Sequence, residues 1–168
     1  MGNSVPIPER PAVPKGKTRI CVTGYGISHN VGRAQRLAST IAKAYPQKYQ
    51  TWFYFSTFGF SQFLAIIKAE IPEDQRSHPS TKDKGKTMAE HTSAPFVWLE
   101  TTTATAGADE KKTITAKGGG DMFREWARKE FPENADIQEL AKTEPPTISE
   151  IFFDNATPGG TWMDENNH

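Results

Sequence analysis

The chain predicts an α/β domain: a mixed four-stranded sheet flanked by helices, with an extended tail at each end. Three observations carry that reading. Arg19–Tyr45 runs from a short apolar strand through a Gly turn into an amphipathic helix. Thr51–Phe55 follows as a second strand, so helix 29–45 joins the two in a right-handed parallel crossover. Two later strands, Pro95–Glu100 and Lys111–Ala116, have no helix between them and form a terminal hairpin.

Each element has a local cause. Ile20, Cys21 and Val22 form an apolar run that ends at Gly24, as in a buried strand. Ser28 is suited to cap the next helix, because its hydroxyl can accept from a first-turn N–H. Val31, Ala34, Leu37, Ala38, Ile41 and Tyr45 then recur at three- and four-residue spacing along one buried face. Arg33, Arg36 and Lys43 fall on the outer side, and Pro46 stops the helix. Thr51–Phe55 is rich in aromatics and reads as a buried strand. Phe60, Phe63, Leu64, Ile67 and Ile71 mark a second helix, closed by Pro72. Gly118, Gly119 and Gly120 lead into a third helix with Asp121 as its expected cap and Met122, Phe123, Trp126 and Phe131 on its buried side. A short helix is expected over Ala135–Lys142.

The organisation follows from composition. Residues 1–17 carry Pro6, Pro8, Pro11 and Pro14 and are expected to be an extended, polyproline-like head outside the core. The domain occupies 18–143, with a polar, lysine-rich surface insertion over 72–92. Residues 144–168 form an extended docking tail. Its Ile151, Phe152, Phe153 and Trp162 are too apolar for a free tail and too sparse for a second core, so they are expected to bind partners.

Several functions are turned away. Lys plus Arg and Asp plus Glu are 20 each among 168 residues, and that zero balance argues against a nucleic-acid partner. Lys82, Lys84 and Lys86 read first as a solvated loop and second as a contact for a phosphate or an acidic protein. Cys21 is the only cysteine, which fits a reducing compartment and excludes an intrachain disulfide. Inside a strand, its expected role is that of a small hydrophobe. No apolar run approaches the ~20 residues that span a bilayer, so no membrane insertion is expected. The start MGNSVPIPE has neither signal-peptide nor presequence character, and Pro6 stands where a myristoylation motif needs Ser or Thr.

Among catalytic signatures, Gly24-Tyr25-Gly26 follows a strand, but the third glycine of a dinucleotide site falls on His29. His29, His78, His91 and His168 lack paired ligand spacing, so no metal is expected. No Ser-His-Asp or paired-carboxylate pattern stands out.

From Arg19 to about Asp136 the chain resembles thioredoxin- and glutaredoxin-like domains. The likeness is closest to the amino-terminal domain of the ciliary malate dehydrogenase 1B-like proteins. Ser28-His29-Asn30-Val31 falls without gaps on that domain's Cys-Pro-Tyr-Tyr box, and both sulfur positions of a redox Cys-x-x-Cys are occupied by Ser28 and Val31. His91-Thr-Ser-Ala-Pro95-Phe-Val-Trp98 is similar to its His-x-x-Ser-Pro segment, and Gly118–Asp121 to its Gly-Gly turn. The resemblance implies a thioredoxin-like fold in which Pro95 is the cis proline facing the former redox motif. A proline opening an edge strand is the reading from the residues alone.

The resulting expectation is a non-catalytic, redox-inactive docking subunit of a large assembly with no cofactor. Its partners are protein subunits, with no obligate small-molecule ligand. The resemblance points to the ciliary or flagellar axoneme and a microtubule-associated role. An accessory place in a mitochondrial complex is the alternative location. The alternative function is glutathione binding or a glutathione transferase-like activity using Ser28 with the Ala94–Pro95 backbone.

Overall fold

Alternation along the strands divides the apolar residues between two faces, and helices cover both. The computed structural model describes residues 8–26, 28–83, 85–103 and 110–149 and the backbone of Gly160–Trp162. Strand β1 (Thr18–Gly24) runs parallel to β2 (Tyr49–Phe55) across helix α1 (His29–Ala44). Strands β3 (Phe96–Thr103) and β4 (Lys111–Gly118) form the antiparallel hairpin, with β3 antiparallel to β1. These are the four strands expected from the sequence, and they form a mixed sheet. A short β5 (Gly160–Trp162) adds antiparallel to the end of β2, giving the order β4-β3-β1-β2-β5.

One face carries Ile20, Val22, Phe53, Phe55 and Val97 beneath α1, α3 (Gly120–Glu130) and α4 (Ala135–Leu140). The other carries Cys21, Trp52, Tyr54, Phe96 and Trp98 against α2 (Phe60–Glu70). The buried side of α1 is Val31, Gly32, Ala34, Leu37, Ala38, Ile41 and Ala42, which contains the core of the expected stripe. Tyr45 closes the helix, and its ring stacks on Phe131 at 5.0 Å.

The head departs from expectation. Its described residues, 8–17, carry no helix or strand, yet Val13 is buried and Thr102 Oγ1 donates to the Val13 carbonyl at 2.6 Å. Arg10 Nε donates to Glu100 Oε1 at 2.8 Å, and its Nη2 reaches Glu70 at 2.7 Å. Arg19, itself buried, donates to the carbonyls of Pro11 and Ala12 and to Gln50 at 2.7 Å. The cause is a gap on the α2 face. That helix ends at Glu70, leaving Arg19, Gln50 and Glu100 to be covered by the head. A buried carboxylate there needs a cation and hydrogen bonds, and Arg10 supplies both.

The insertion is also more than surface chain. It forms 3-10 turns at Glu73–Gln75 and Met88–Glu90, and Ser80, Met88 and His91 are buried. Gln75 Nε2 donates to the Ile114 carbonyl at 3.0 Å and its Oε1 accepts from Ala116 N–H at 2.8 Å. One side-chain amide thereby satisfies an open stretch of the β4 edge. In the tail, Ile151, Phe152 and Phe153 lie outside the described residues, while the Trp162 backbone pairs opposite Phe53.

Candidate functional site

The parallel pair sends the carboxyl ends of β1 and β2 to one end of the sheet, where ligands of open α/β sheets commonly bind. The antiparallel register brings the start of β3 to that end, with Thr23 opposite Phe96. Pro95 therefore stands beside the β1–α1 turn, and the Ala94–Pro95 peptide bond is cis. The end of β4 delivers Gly118, and α3 begins at Gly120, so its N-terminus faces the same place.

The four residues Ser28–Val31 are split in their duties. Ser28 is the N-cap of α1, its hydroxyl accepting from Val31 N–H at 3.4 Å. Val31 is fully buried, and a Cβ on Gly24 would lie 2.6 Å from its Cγ2, so this side chain fills the turn. His29 is half-buried and Asn30 is exposed. A helix N-terminus lowers a thiol's pKa, but neither Ser28 nor Val31 offers sulfur to benefit from it. Cys21 lies on the α2 face, fully buried, with Sγ 3.3 Å from Glu100 Oε1. Burial first, and then the Glu100 carboxylate, push its thiol well above the usual range. The only sulfhydryl of the chain is thus neither at the helix start nor ionised near neutral pH.

Beside α1 lies a cleft of about 280 Å³ lined by Asn30, Pro95, Thr81, Gly119, Asp121 and Arg124, among others. Its wall is built by a close approach. Gly119 N–H donates to the Ser80 carbonyl at 2.7 Å, and Gly118 takes φ 78°, which favours glycine. A Cβ on Gly118 would run into the Ser80 backbone. Asp121 is not the cap expected from the sequence. Gly119 holds that position, and Asp121 sits in the first turn, where its carboxylate accepts from Met122 N–H and Lys82 N–H, both at 2.8 Å. The reason is that the backbone of Ser80 already fixes the entry to α3, leaving the Asp121 side chain to hold the insertion.

Arg124 reaches back toward the same helix start, since side chains on a helix lean to its N-terminus. A Cβ on Gly120 would lie 3.2 Å from its Nη1. Arg124 Nε, Thr81 Oγ1 and His91 Nδ1 are buried without a hydrogen-bond partner among the described residues. Burial first, then Arg33, press the Arg124 pKa below its usual value, while Asp121 and Asp83 act in the opposite direction. His91 is fully buried behind the cleft, with Nε2 2.7 Å from the Ser93 carbonyl and 3.2 Å from that of Pro95. Two carbonyl partners require a protonated Nε2, so the ring is the Nε2–H tautomer and Nδ1 is a bare acceptor. Burial lowers its pKa from 6.5, which keeps it neutral.

Chemically, the cleft offers the Arg124 guanidinium, the hydroxyls of Thr81 and Ser93 and first-turn amides of α3, with the carboxylates of Asp83 and Asp121 also in its lining. That set suits a strongly polar ligand group whose anionic part faces Arg124. Among the described residues no group of three His, Cys, Asp or Glu is placed to hold a metal ion. The sequence pointed to Asn30, Pro95 and the Gly-Gly turn, and the fold brings these together. Thr81 and Arg124 were missed. Arg124 had one available signal, its position four residues after Gly120. Thr81 had none, because only the folded insertion carries it here. No family model, no curated protein and no solved structure matches this chain. Among the described residues no helix is long and apolar enough to cross a membrane.

Proposed function

We propose that this chain is a redox-inactive, thioredoxin-like docking subunit of a larger protein assembly. The observation that carries the reading is the fate of the thiol positions. Ser28 caps α1, Val31 fills the core and Cys21 is buried on the opposite face. The thioredoxin-like part is supported by the parallel β1–α1–β2 unit, the β3–β4 hairpin and Pro95 beside the start of α1. The docking part is supported by the apolar residues Ile151, Phe152, Phe153 and Trp162 on an otherwise polar tail. The assembly we assign is the ciliary axoneme, on the likeness of Ser28–Val31, His91–Trp98 and Gly118–Asp121 to the ciliary domain described above. Deleting the chain after Pro146 tests it. A truncated domain that folds but no longer joins the assembly, and a full chain that runs along cilia, are expected. Equal incorporation of both forms, or exclusion of the full chain from cilia, contradicts the reading.

A second reading has its own support. The unpartnered Arg124 Nε and Thr81 Oγ1 beside the 280 Å³ cleft favour a small anionic ligand such as glutathione. In that case Asn30, which lines the cleft, is better placed than Ser28, whose hydroxyl is engaged in the cap. Calorimetric titration with glutathione, lost on Arg124→Gln, supports this reading. No heat at millimolar ligand removes it.

A further inference from the structure

Helix α3 has more large apolar residues than its buried side uses. Phe123 and Ala127 enter the core; Trp126 is half-buried and packs against it, its ring stacked on Phe123 at 5.9 Å, while Met122, also expected inside, is half-buried on the flank. Met122 lies there because α3 covers the end of the sheet near β4 and leaves its outer side uncovered. Two adjoining hollows of about 380 and 490 Å³ share Pro79, Met122 and Glu125 and form one groove. Met88 and Trp126 complete the apolar floor of the first hollow.

The rim is cationic. Lys82 and Lys129 divide the single carboxylate of Glu125, at 3.3 and 3.4 Å. Lys117 stands over the Trp126 ring at 5.4 Å and has no ion-pair partner among the described residues. Burial penalises its charge, and Glu130 offsets only part of that penalty. Lys82, Lys117 and Lys129 against Glu125, with Glu130 acting on Lys117, leave a positive margin around methionine and tryptophan, of which Lys117 is the partly desolvated member. Met side chains adapt to varied apolar shapes, and tryptophan is enriched among the residues that dominate binding.

We propose that this β4–α3 groove docks a short acidic segment of a partner protein, one that carries a large apolar side chain. Charge complementarity selects the occupant: carboxylates meet Lys82, Lys117 and Lys129 while the apolar side chain enters between Met122 and Trp126. The inference rests on the docking-subunit reading and locates one of its surfaces, separate from the tail.

The test uses the full chain and three synthetic peptides: one of Glu, Asp and Phe, a counterpart with Lys for every acid, and a counterpart with Ser for every Phe. Binding is followed by amide and indole NMR shifts. The acidic aromatic peptide is expected to shift Lys117, Met122 and Trp126 and to bind at least about tenfold more weakly to Lys117→Glu or Met122→Asp. Both variants alter half-buried positions, and circular dichroism verifies their folding. Equal binding of the basic peptide, shifts elsewhere, or no loss in either variant overturns the proposal. Self-association that Lys117→Glu disperses also overturns it, because the occupant is then a second copy. If no peptide binds while the full chain still joins its assembly, the groove is wrong and the docking reading stands. Peptide binding by a chain found only as a free monomer in cells keeps the groove and removes the docking reading.

Discussion

Ser28 and Val31 stand at the start of α1 and leave it in different directions, one to the helix cap and one to the core. Sulfur introduced at Ser28 would lie at a helix N-terminus, where a thiolate is favoured. Cys21 has no such environment, since burial and Glu100 both oppose its ionisation. Native protein at neutral pH is therefore expected to resist iodoacetamide, with alkylation of Cys21 by mass spectrometry only after urea. At the other end of the sheet, Arg10 and Glu100 form a buried pair with side chains 6% and 0% exposed. Removing one partner of such a pair strands a buried charge, at a typical cost of about 3–5 kcal/mol. Lys112 lies 3.6 Å from Glu100 and softens the loss. Arg10→Ala should lower stability by about 3 kcal/mol in urea titration. The double variant Arg10→Met with Glu100→Leu should cost less, because no charge of the pair is left buried alone.

The His91–Pro95 turn is the element on which the cleft depends. Its ring is hydrogen-bonded to Ser93 and Pro95; burial first, then Lys68 and Lys86, disfavour a second proton, while those two hydrogen bonds act in the opposite direction. The folded pKa is depressed, so the unfolded chain binds more protons just below 6.5. Its contribution is complete above that value and is lost as pH falls toward the folded pKa. Denaturation curves between pH ~7 and ~5 should lose part of their slope in His91→Asn. The close approach at Gly118 is a second local requirement. Gly118→Ala, with φ 78° and the Ser80 backbone in the way, should cost more than ~1 kcal/mol. Elements such as α1 were legible because Val31, Leu37 and Ile41 state one buried face by spacing alone. Ser80, His91 and Arg10 were not, because each is buried by a distant segment that lends no periodicity to its own. Met122 misled for the reverse reason: apolar spacing marks a face but not what covers it, whereas Trp126 packs half-buried against the core.

Across the whole molecule, the sheet has both outer strands engaged. Gln75 closes part of β4, and β5 pairs with Phe53–Phe55 of β2. Among the described residues, both cores are built from residues no later than Ala141, and the described pairing of β5 spans three residues. A chain ending at Pro146 should therefore keep its circular dichroism and unfold cooperatively. The same arrangement separates a cleft lacking a thiol from a head tied into the α2 face and a groove beside α3. The proposed redox-inactive role excludes thiol chemistry, and turnover of a mixed-disulfide substrate tests it most directly. Exchange requires a thiolate attacking a disulfide. Wild-type protein and Cys21→Ser are expected to give the same background rate, with activity above background only in Ser28→Cys. Wild-type turnover that disappears in Cys21→Ser would contradict the account.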